Sequence, residues 1–236
     1  MFSKLKSALV CCVCGGSEFR YKEIIPKRLA TEWQLSPEEL EYVNRQQGEA
    51  CCECGSSLRS LALAQALRKS LGSDIPLRDA ASALAARGAR VSLLEINEAG
   101  HLTPYLKQFP GYVFGSYPQV DMHDLPFEDG TFDIVIHSDT LEHVPNPIHA
   151  LAECWRVLRP QGELLFTVPL IVGRLSRDRA GLANSYHGDV KKEPEDYKVY
   201  TEFGADAWIL PFKAGFQTVE MSAVEFPAAI AMSAGK

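Results

Sequence analysis

VDMHDLPFEDGTFDIVIHSDTLEHVPNPIHALAECWRVLRPQGELLFTVP, residues 120–169, decides the fold. Inside it, FDIVIHS (132–138) is a short apolar run suited to a strand buried on both faces. The next segment has helical spacing, with Ile148, Leu151, Cys154, Trp155 and Leu158 on one face. Asn146 stands where an N-cap belongs and Pro147 at the first helical position, so a helix is expected over 147–158. RPQG then turns the chain into ELLFTVP, a second apolar strand. Cys154 and Trp155 lie on the apolar helix face and are read as core.

The same alternation extends outward. Upstream, RVSLLEI (90–96) is another buried strand, followed by a helical segment through Leu106 and a strand near 112–114. Downstream of Pro169 comes a loop-rich basic stretch, then a helix near 205–214 and a strand, FQTVEM, that closes the chain. Trp208 on that helix could be core or a substrate lid, with core favoured. Strand and helix in alternation mean a parallel sheet with helices on both faces, an α/β fold. Ahead of the sheet, LRSLALAQALRKSLG (58–72) is helical with a stop at Gly72, and a second helix over Leu77–Ala86 ends at Gly88. Three regions result: a cysteine module over 1–56, a helical connector over 57–88 and the sheet domain over 89–236.

The 236 residues suffice for one medium domain with an appendage. Hydrophobic residues at 46% and charged residues at 23% describe an ordinary globular chain. The net charge of −6 argues against broad binding to nucleic acid or to acidic membrane. No apolar run approaches the roughly 18–20 residues that span a bilayer. MFSKLKSALVCCVC has two lysines before a short apolar run, but that run leads directly into a cysteine pair. It is read as the first strand of a folded module and not as a secretion signal, which implies a cytoplasmic location.

Six of the seven cysteines are clustered: Cys11, Cys12 and Cys14, then Cys51, Cys52 and Cys54. In a reducing compartment, clustering favours metal over disulfides. Cys11-x-x-Cys14-Gly and Cys51-x-x-Cys54-Gly are two knuckles, each offering two thiolates from one tight turn. Four thiolates at about 2.3 Å make a closed tetrahedral zinc site, structural because no position is left for water. Using Cys12 or Cys52 instead would break the spacing. A helix over 37–46, with Ser36 as N-cap and Glu39 completing a capping box, fills the gap between the knuckles.

In doubly wound folds a ligand sits past the carboxyl ends of the strands. That edge carries Glu95, the residues after Phe114, Asp121 and His137. Here a resemblance becomes specific. Residues 120–169 resemble the class I S-adenosylmethionine-dependent methyltransferases, in the subgroup written D-x-x-x-LPF-x-D-x-(S/T)FD … LEHV … RVL-x-P-x-G … TVP. With the strand at 90–96 and AGF at 214–216, the resemblance covers about two-thirds of the chain, and some members also carry an N-terminal zinc ribbon. It implies a Rossmann-like seven-stranded sheet whose last strand is antiparallel.

The resemblance also implies site roles. Glu95 would support the first cofactor loop and the methionine moiety. Asn97, Glu98, Ala99 and Gly100 would form that loop. Asp121 and Met122 would contact adenine, with Asp121 accepting from its amine. His137 and Ser138 would lie beside the sulfonium, and Glu142 and His143 would face the acceptor. The sequence departs from the family at two places. Loops in the family read E-x-G-x-G-x-G, whereas Asn97, Ala99 and His101 occupy those glycine positions here. Asn tolerates a left-handed turn best among non-glycine residues. The second departure is at the end of the second strand, where GSY replaces the ribose-binding acid and Ser116 or Tyr117 must substitute. Both bear on affinity more than on fold.

Methyl transfer needs in-line positioning and, often, removal of a proton from the nucleophile. Histidine is suited to that at neutral pH. His143 is the first candidate base and His187 in NSYHG the second, with Glu142 beside them. Glu142 and His143 could instead share a divalent ion, as in some relatives. His101, His123 and His149 are assigned to surface or packing. Arg174, Arg177 and Arg179 in GRLSRDRAG are candidates for holding an anionic substrate, and KKEPEDYK (191–198) reads as an exposed connector.

The reading that results is a zinc-ribbon methyltransferase acting on a small molecule or saccharide. The alternatives are a catalytically inactive binding protein on the same fold and an RNA methyltransferase, the latter disfavoured by the negative charge. A nicotinamide oxidoreductase fits worst, because GxGxxG and its downstream acid are missing.

Overall fold

The computed structural model describes residues 9–187 and 194–236. The strand expected at the N-terminus falls largely on 1–8, and KKEPEDYK partly on 191–193; both stretches lie outside the described residues. The first described strand, β1 (Phe19–Tyr21), is followed by α1 (Lys27–Glu32), α2 (Pro37–Gly48) and β2 (Glu49–Cys51). β2 returns antiparallel to β1, with Phe19 opposite Cys51. The capping box of α2 is formed: Glu39 N–H donates to Ser36 Oγ at 3.1 Å, and Ser36 N–H donates to Glu39 Oε2 at 2.8 Å. Two orphan amides of the first turn are satisfied in this way.

α3 (Leu58–Ser70) and α4 (Leu77–Ala86) lead into β3 (Ser92–Ile96). A 3-10 turn (Gly100–Leu102) and α5 (Thr103–Leu106) precede β4 (Gly111–Gly115). Then come β5 (Phe132–Ser138), a second 3-10 turn (Leu141–His143), α6 (Pro147–Val157) and β6 (Leu158–Thr167). α6 starts as its sequence dictates, with His149 N–H donating to Asn146 Oδ1 at 3.2 Å and Pro147 in the first turn. The chain continues through β7 (Leu170–Ile171), β8 (Arg177–Asp178), β9 (Thr201–Gly204), α7 (Ile209–Lys213), β10 (Thr218–Val224) and β11 (Ala229–Gly235).

The main sheet has the order β10-β11-β6-β5-β3-β4. β4, β3, β5 and β6 are mutually parallel, and β11 is antiparallel to both β6 and β10. Among the described residues the sheet has six strands where seven were expected, and the antiparallel strand at the end of the chain is present. Alternation along β5 serves two cores. Ile134 and Ile136 pack with the leucines of α3, whereas Val135 packs with Leu151 and Cys154 of α6. α3 lies against β6, β10 and β11, so the segment read as a connector is a covering layer of the sheet. Leu58, Leu61, Leu63 and Leu67 of α3 are fully buried. Each stabilises by about 2 kcal/mol, which fastens α3 to the sheet.

A three-stranded sheet, β7-β9-β8, forms a lobe over the carboxyl edge of the main sheet. Its tie to the second 3-10 turn is a backbone bond from Tyr200 N–H to Glu142 O at 2.8 Å. Two differences concern the C-terminal part. The helix expected over 205–214 is confined to Ile209–Lys213, and Trp208 is exposed, edge-on to Phe212 at 6.1 Å.

Candidate functional site

β3 lies between β4 and β5, so successive connections leave it in opposite directions and open a crevice at its carboxyl end. Glu95, wholly buried, organises the loop that follows. Its Oε1 accepts from Ala99 N–H at 2.7 Å and from the Thr103 hydroxyl at 2.6 Å, and its Oε2 accepts from the Tyr112 hydroxyl. Burial, followed by the Glu95 hydrogen bond, pushes the Tyr112 phenol pKa up, so it stays a donor. Glu95 and Ala99 sit beneath the loop and take no part in the wall of the cleft described below.

Asn97 adopts φ of +55° and Gly100 φ of +58°, the left-handed backbone the turn requires. Asn97 also fixes its surroundings, with Oδ1 accepting from Tyr117 N–H at 3.1 Å and Nδ2 donating to Thr140 Oγ1 at 3.4 Å. A Cβ at Gly100 would stand 3.2 Å from Ser60 Oγ, so the loop is laid close against the start of α3.

A cleft of about 910 Å³ opens over this loop. Asn97, Glu98 and Gly100 form one wall, with Ser116, Tyr117, Asp121 and Met122 beyond them and Ser138, His143 and His187 at the far end. The structure thus brings together most of the residues that the sequence pointed to. Asp121 Oδ1 accepts from His123 N–H at 2.8 Å, which leaves its other oxygen for a ligand. Ser138 faces the cleft with its hydroxyl 2.8 Å from Thr167 Oγ1. His137 does not: strand alternation turns it the other way, fully buried with its ring stacked on Phe166 at 5.3 Å. Burial there lowers its pKa to about 3, so it is a neutral core residue and not a cofactor contact. Cys154 is likewise core, its thiol pushed up to about 12 by burial. His101 and His123, which the sequence assigned to surface or packing, are on the cleft wall.

At the far end, Glu142 is buried and neither of its carboxylate oxygens has a hydrogen-bond partner. Its Oε1 lies 3.5 Å from His187 Nε2 and 3.8 Å from His143 Nε2. His143 Nδ1 is 3.0 Å from Lys198 O. A carbonyl only accepts, so that nitrogen carries the proton and Nε2 is the free one. Burial pushes the pKa of Glu142 up and those of both imidazoles down, that of His187 to about 3. Neither histidine is charged at neutral pH.

Several cleft residues were missed by sequence reasoning. Asp139 follows β5, has φ of +50°, and takes an ion pair from buried Arg59 and a hydrogen bond from Gln47. Arg59 in turn donates to Gln46 at 2.6 Å. The one signal for Asp139 was its place at a strand's carboxyl end.

The three arginines of 174–179 do not serve as an anion site. Arg174 donates to Glu39, to Trp33 O at 2.9 Å and to Gln34 O at 3.1 Å. Arg177 and Arg179 both pair with Glu202, and Arg179 also donates to Ala183 O at 2.6 Å. Partners distant in sequence consume these charges, and none of the three lines the cleft.

The cysteine quartet lies on the far side of the same loop. Four sulfurs at about 2.3 Å from one zinc ion stand about 3.8 Å apart. Cys11 Sγ is 3.5 Å from Cys54 Sγ, Cys14 Sγ is 3.6 Å from Cys51 Sγ, and all four lie within 4.8 Å of one another. The fit is good without Cys12, which is 3.3 Å from Leu61 O, or the exposed Cys52.

Residues 51–166 match the family model described as a methyltransferase domain. The ubiquinone biosynthesis O-methyltransferase of Pseudomonas syringae pv. tomato is 35% identical over 86 residues, 36% of this chain and 37% of that protein. That of Pseudomonas putida F1 is 34% identical over the same shares. The chain thus spans little more than a third of the length of these relatives. Among solved structures, the 1,6-didemethyltoxoflavin-N1-methyltransferase of Burkholderia thailandensis, solved with S-adenosylhomocysteine, is similar at TM-score 0.40 and 19% identity, over 68% of this chain and 77% of that one. A methyltransferase from Mesorhizobium loti is similar at TM-score 0.41 and 12% identity, over 68% and 100%. The part of the chain that carries the cleft loop and β3, β4 and β5 is thus the part that matches a methyltransferase domain.

Proposed function

We propose that this chain transfers the methyl group of S-adenosylmethionine to a small-molecule acceptor. The observation that carries this reading is the cleft at the carboxyl ends of β3, β4 and β5, lined by the Asn97–Glu98–Gly100 loop at one end and by His143 and His187 at the other. In it, Asn97 shapes the loop around the amino-acid part of the cofactor. The Ser116 hydroxyl and the Tyr117 ring take the place of the usual ribose acid. Asp121 accepts from the adenine amine through its free oxygen, and Met122 packs on the ring. Bound there, S-adenosylmethionine supplies an electrophilic methyl carbon. The acceptor lies against Glu142, His143 and His187. The named activity of the Pseudomonas relatives favours oxygen as the atom methylated.

The quartet Cys11, Cys14, Cys51 and Cys54 holds a structural zinc ion, an assignment supported by its spacing and by the distances between the sulfurs. The described cysteines are all free, which fits a reducing, cytoplasmic setting. No described helix is long and apolar enough to cross a membrane. Mass spectrometry of the protein under native conditions tests the reading directly. A co-purified mass matching S-adenosylmethionine or S-adenosylhomocysteine supports it, and failure of either to bind at millimolar concentration refutes it.

A further inference from the structure

His123 lies on the cleft wall two residues after Asp121 and grips that carboxylate twice. Its backbone N–H donates to Asp121 Oδ1 at 2.8 Å, and its Nδ1 stands 3.1 Å from the same oxygen. The tautomer is set on the other side of the ring, where Asn146 N–H meets His123 Nε2 at 3.2 Å. An amide N–H only donates, so Nε2 carries the lone pair and the proton sits on Nδ1, aimed at Asp121. The start of α6 holds the imidazole in turn. Asn146 is the N-cap of that helix, and in its first turn His149 Nε2 is 3.0 Å from His123 O, which it meets as a donor. The two imidazoles stack, 18° from coplanar with ring centroids 5.9 Å apart. Asp124 N–H closes the turn by donating to Asp121 O at 3.1 Å.

We infer that His123 is a positioning residue: it fixes the Asp121 carboxylate so that Oδ2 meets an exocyclic amine, and it thereby makes the cleft select a 6-aminopurine over a 6-oxopurine. The inference rests on the methyl-transfer reading for the identity of the ligand. The Asp121 side chain is partly exposed. A carboxylate in such a place ordinarily turns freely about its last torsion, with water on both oxygens. Two donors on Oδ1 remove that freedom before any ligand arrives, so binding does not meet the cost of ordering the group. They also occupy one oxygen and leave Oδ2 as the acceptor. An amine donates to Oδ2. A carbonyl in the amine's place would set two acceptors face to face, with Oδ2 stripped of water and unpaired. A site built around a hydrogen bond rejects a near-isostere most strongly in this way. With the imidazole removed, the backbone N–H alone reaches Oδ1, and the carboxylate can rotate away. Selectivity should then fall while the cleft stays open.

Calorimetric titration of the full chain, prepared in the presence of zinc, reads this selectivity as a ratio of dissociation constants. The two ligands are S-adenosylhomocysteine and S-inosylhomocysteine, in which a carbonyl replaces the amine. The unsubstituted chain should prefer the adenine ligand at least about tenfold. His123→Ala should bring the ratio to within about threefold, mainly by weakening the adenine ligand. His123→Asn, whose side-chain amide can donate to Oδ1 from the place of Nδ1, should restore the preference. Circular dichroism should show both variants folded. A merely structural histidine would weaken both ligands alike and keep the ratio, and that result overturns the inference. So does an Asn variant no more selective than the Ala variant. An unsubstituted chain that binds both ligands equally overturns it too, and leaves the methyl-transfer reading standing. Binding of neither ligand to the unsubstituted chain refutes that reading, and the inference with it.

Discussion

Gly55, which closes the second cysteine knuckle, lies directly against His101, the residue after the 97–100 loop. A Cβ at Gly55 would stand 3.0 Å from two atoms of the imidazole. The cysteine module therefore abuts the loop that shapes the cleft, and the geometry of one constrains the other.

Gly55→Ala should show this coupling. Gly55 has φ of +75°, so a side chain there costs about 1–2 kcal/mol in backbone strain, besides the contact with His101. The expected result is a lower melting temperature together with weaker S-adenosylhomocysteine binding by calorimetry. A melting temperature that falls with no change in affinity would mean that the contact is not transmitted to the loop.

Cys11→Ser should remove zinc. Cys11 is buried within the quartet, and three thiolates bind the ion much more weakly than four. Elemental analysis should show one zinc equivalent fewer than in the unsubstituted chain, and circular dichroism a loss of folded structure. Cys52→Ser, at an exposed position, should change neither. Equal metal content in both variants would refute the assignment.

Arg174→Met should destabilise the protein without touching the acceptor. The guanidinium ties α2 to the lobe through Glu39 and two backbone carbonyls, and hydrogen bonds of this charged kind contribute about 1.5–3 kcal/mol each. The KM for any anionic acceptor should be unchanged. The effect depends on pH with a definite sign. The Arg174 hydrogen bond holds the Glu39 carboxyl below its ordinary pKa, so its contribution is complete above the usual carboxylate range and is lost as the pH falls through the folded value. The gap between the urea midpoints of the two proteins should therefore be widest at neutral pH and narrow in acid as Glu39 is protonated, leaving the part due to the two carbonyl bonds. A gap that widens as the pH falls would contradict the pairing.

These arginines also show where sequence reasoning stops. GRLSRDRAG looks like a free basic loop because Glu39 and Glu202 are far away along the chain and only the fold brings them in. The parallel strands were legible because β3 and β5 are continuous apolar runs, and α2 and α6 were legible because Ser36, Glu39, Asn146 and Pro147 mark their starts. β11 was not, since Ala229–Gly235 consists mostly of small residues with weak strand preference. Its conformation is imposed by pairing with β6 and β10. His137 was misplaced for a simpler reason, because alternation sends adjacent residues at the end of β5 to opposite faces. Glu142, His143 and His187 were each visible in the sequence, but their convergence depends on the lobe of β7, β8 and β9 folding over the carboxyl edge of the sheet.

The central claim is that the cleft over Asn97 binds S-adenosylmethionine. Calorimetric titration of S-adenosylhomocysteine into the full chain and into Asn97→Leu tests it most directly. Leucine at φ of +55° strains the turn and removes the side-chain bonds to Tyr117 and Thr140. The account predicts one site in the unsubstituted chain and no measurable binding in Asn97→Leu. Equal affinity in the two proteins would contradict it.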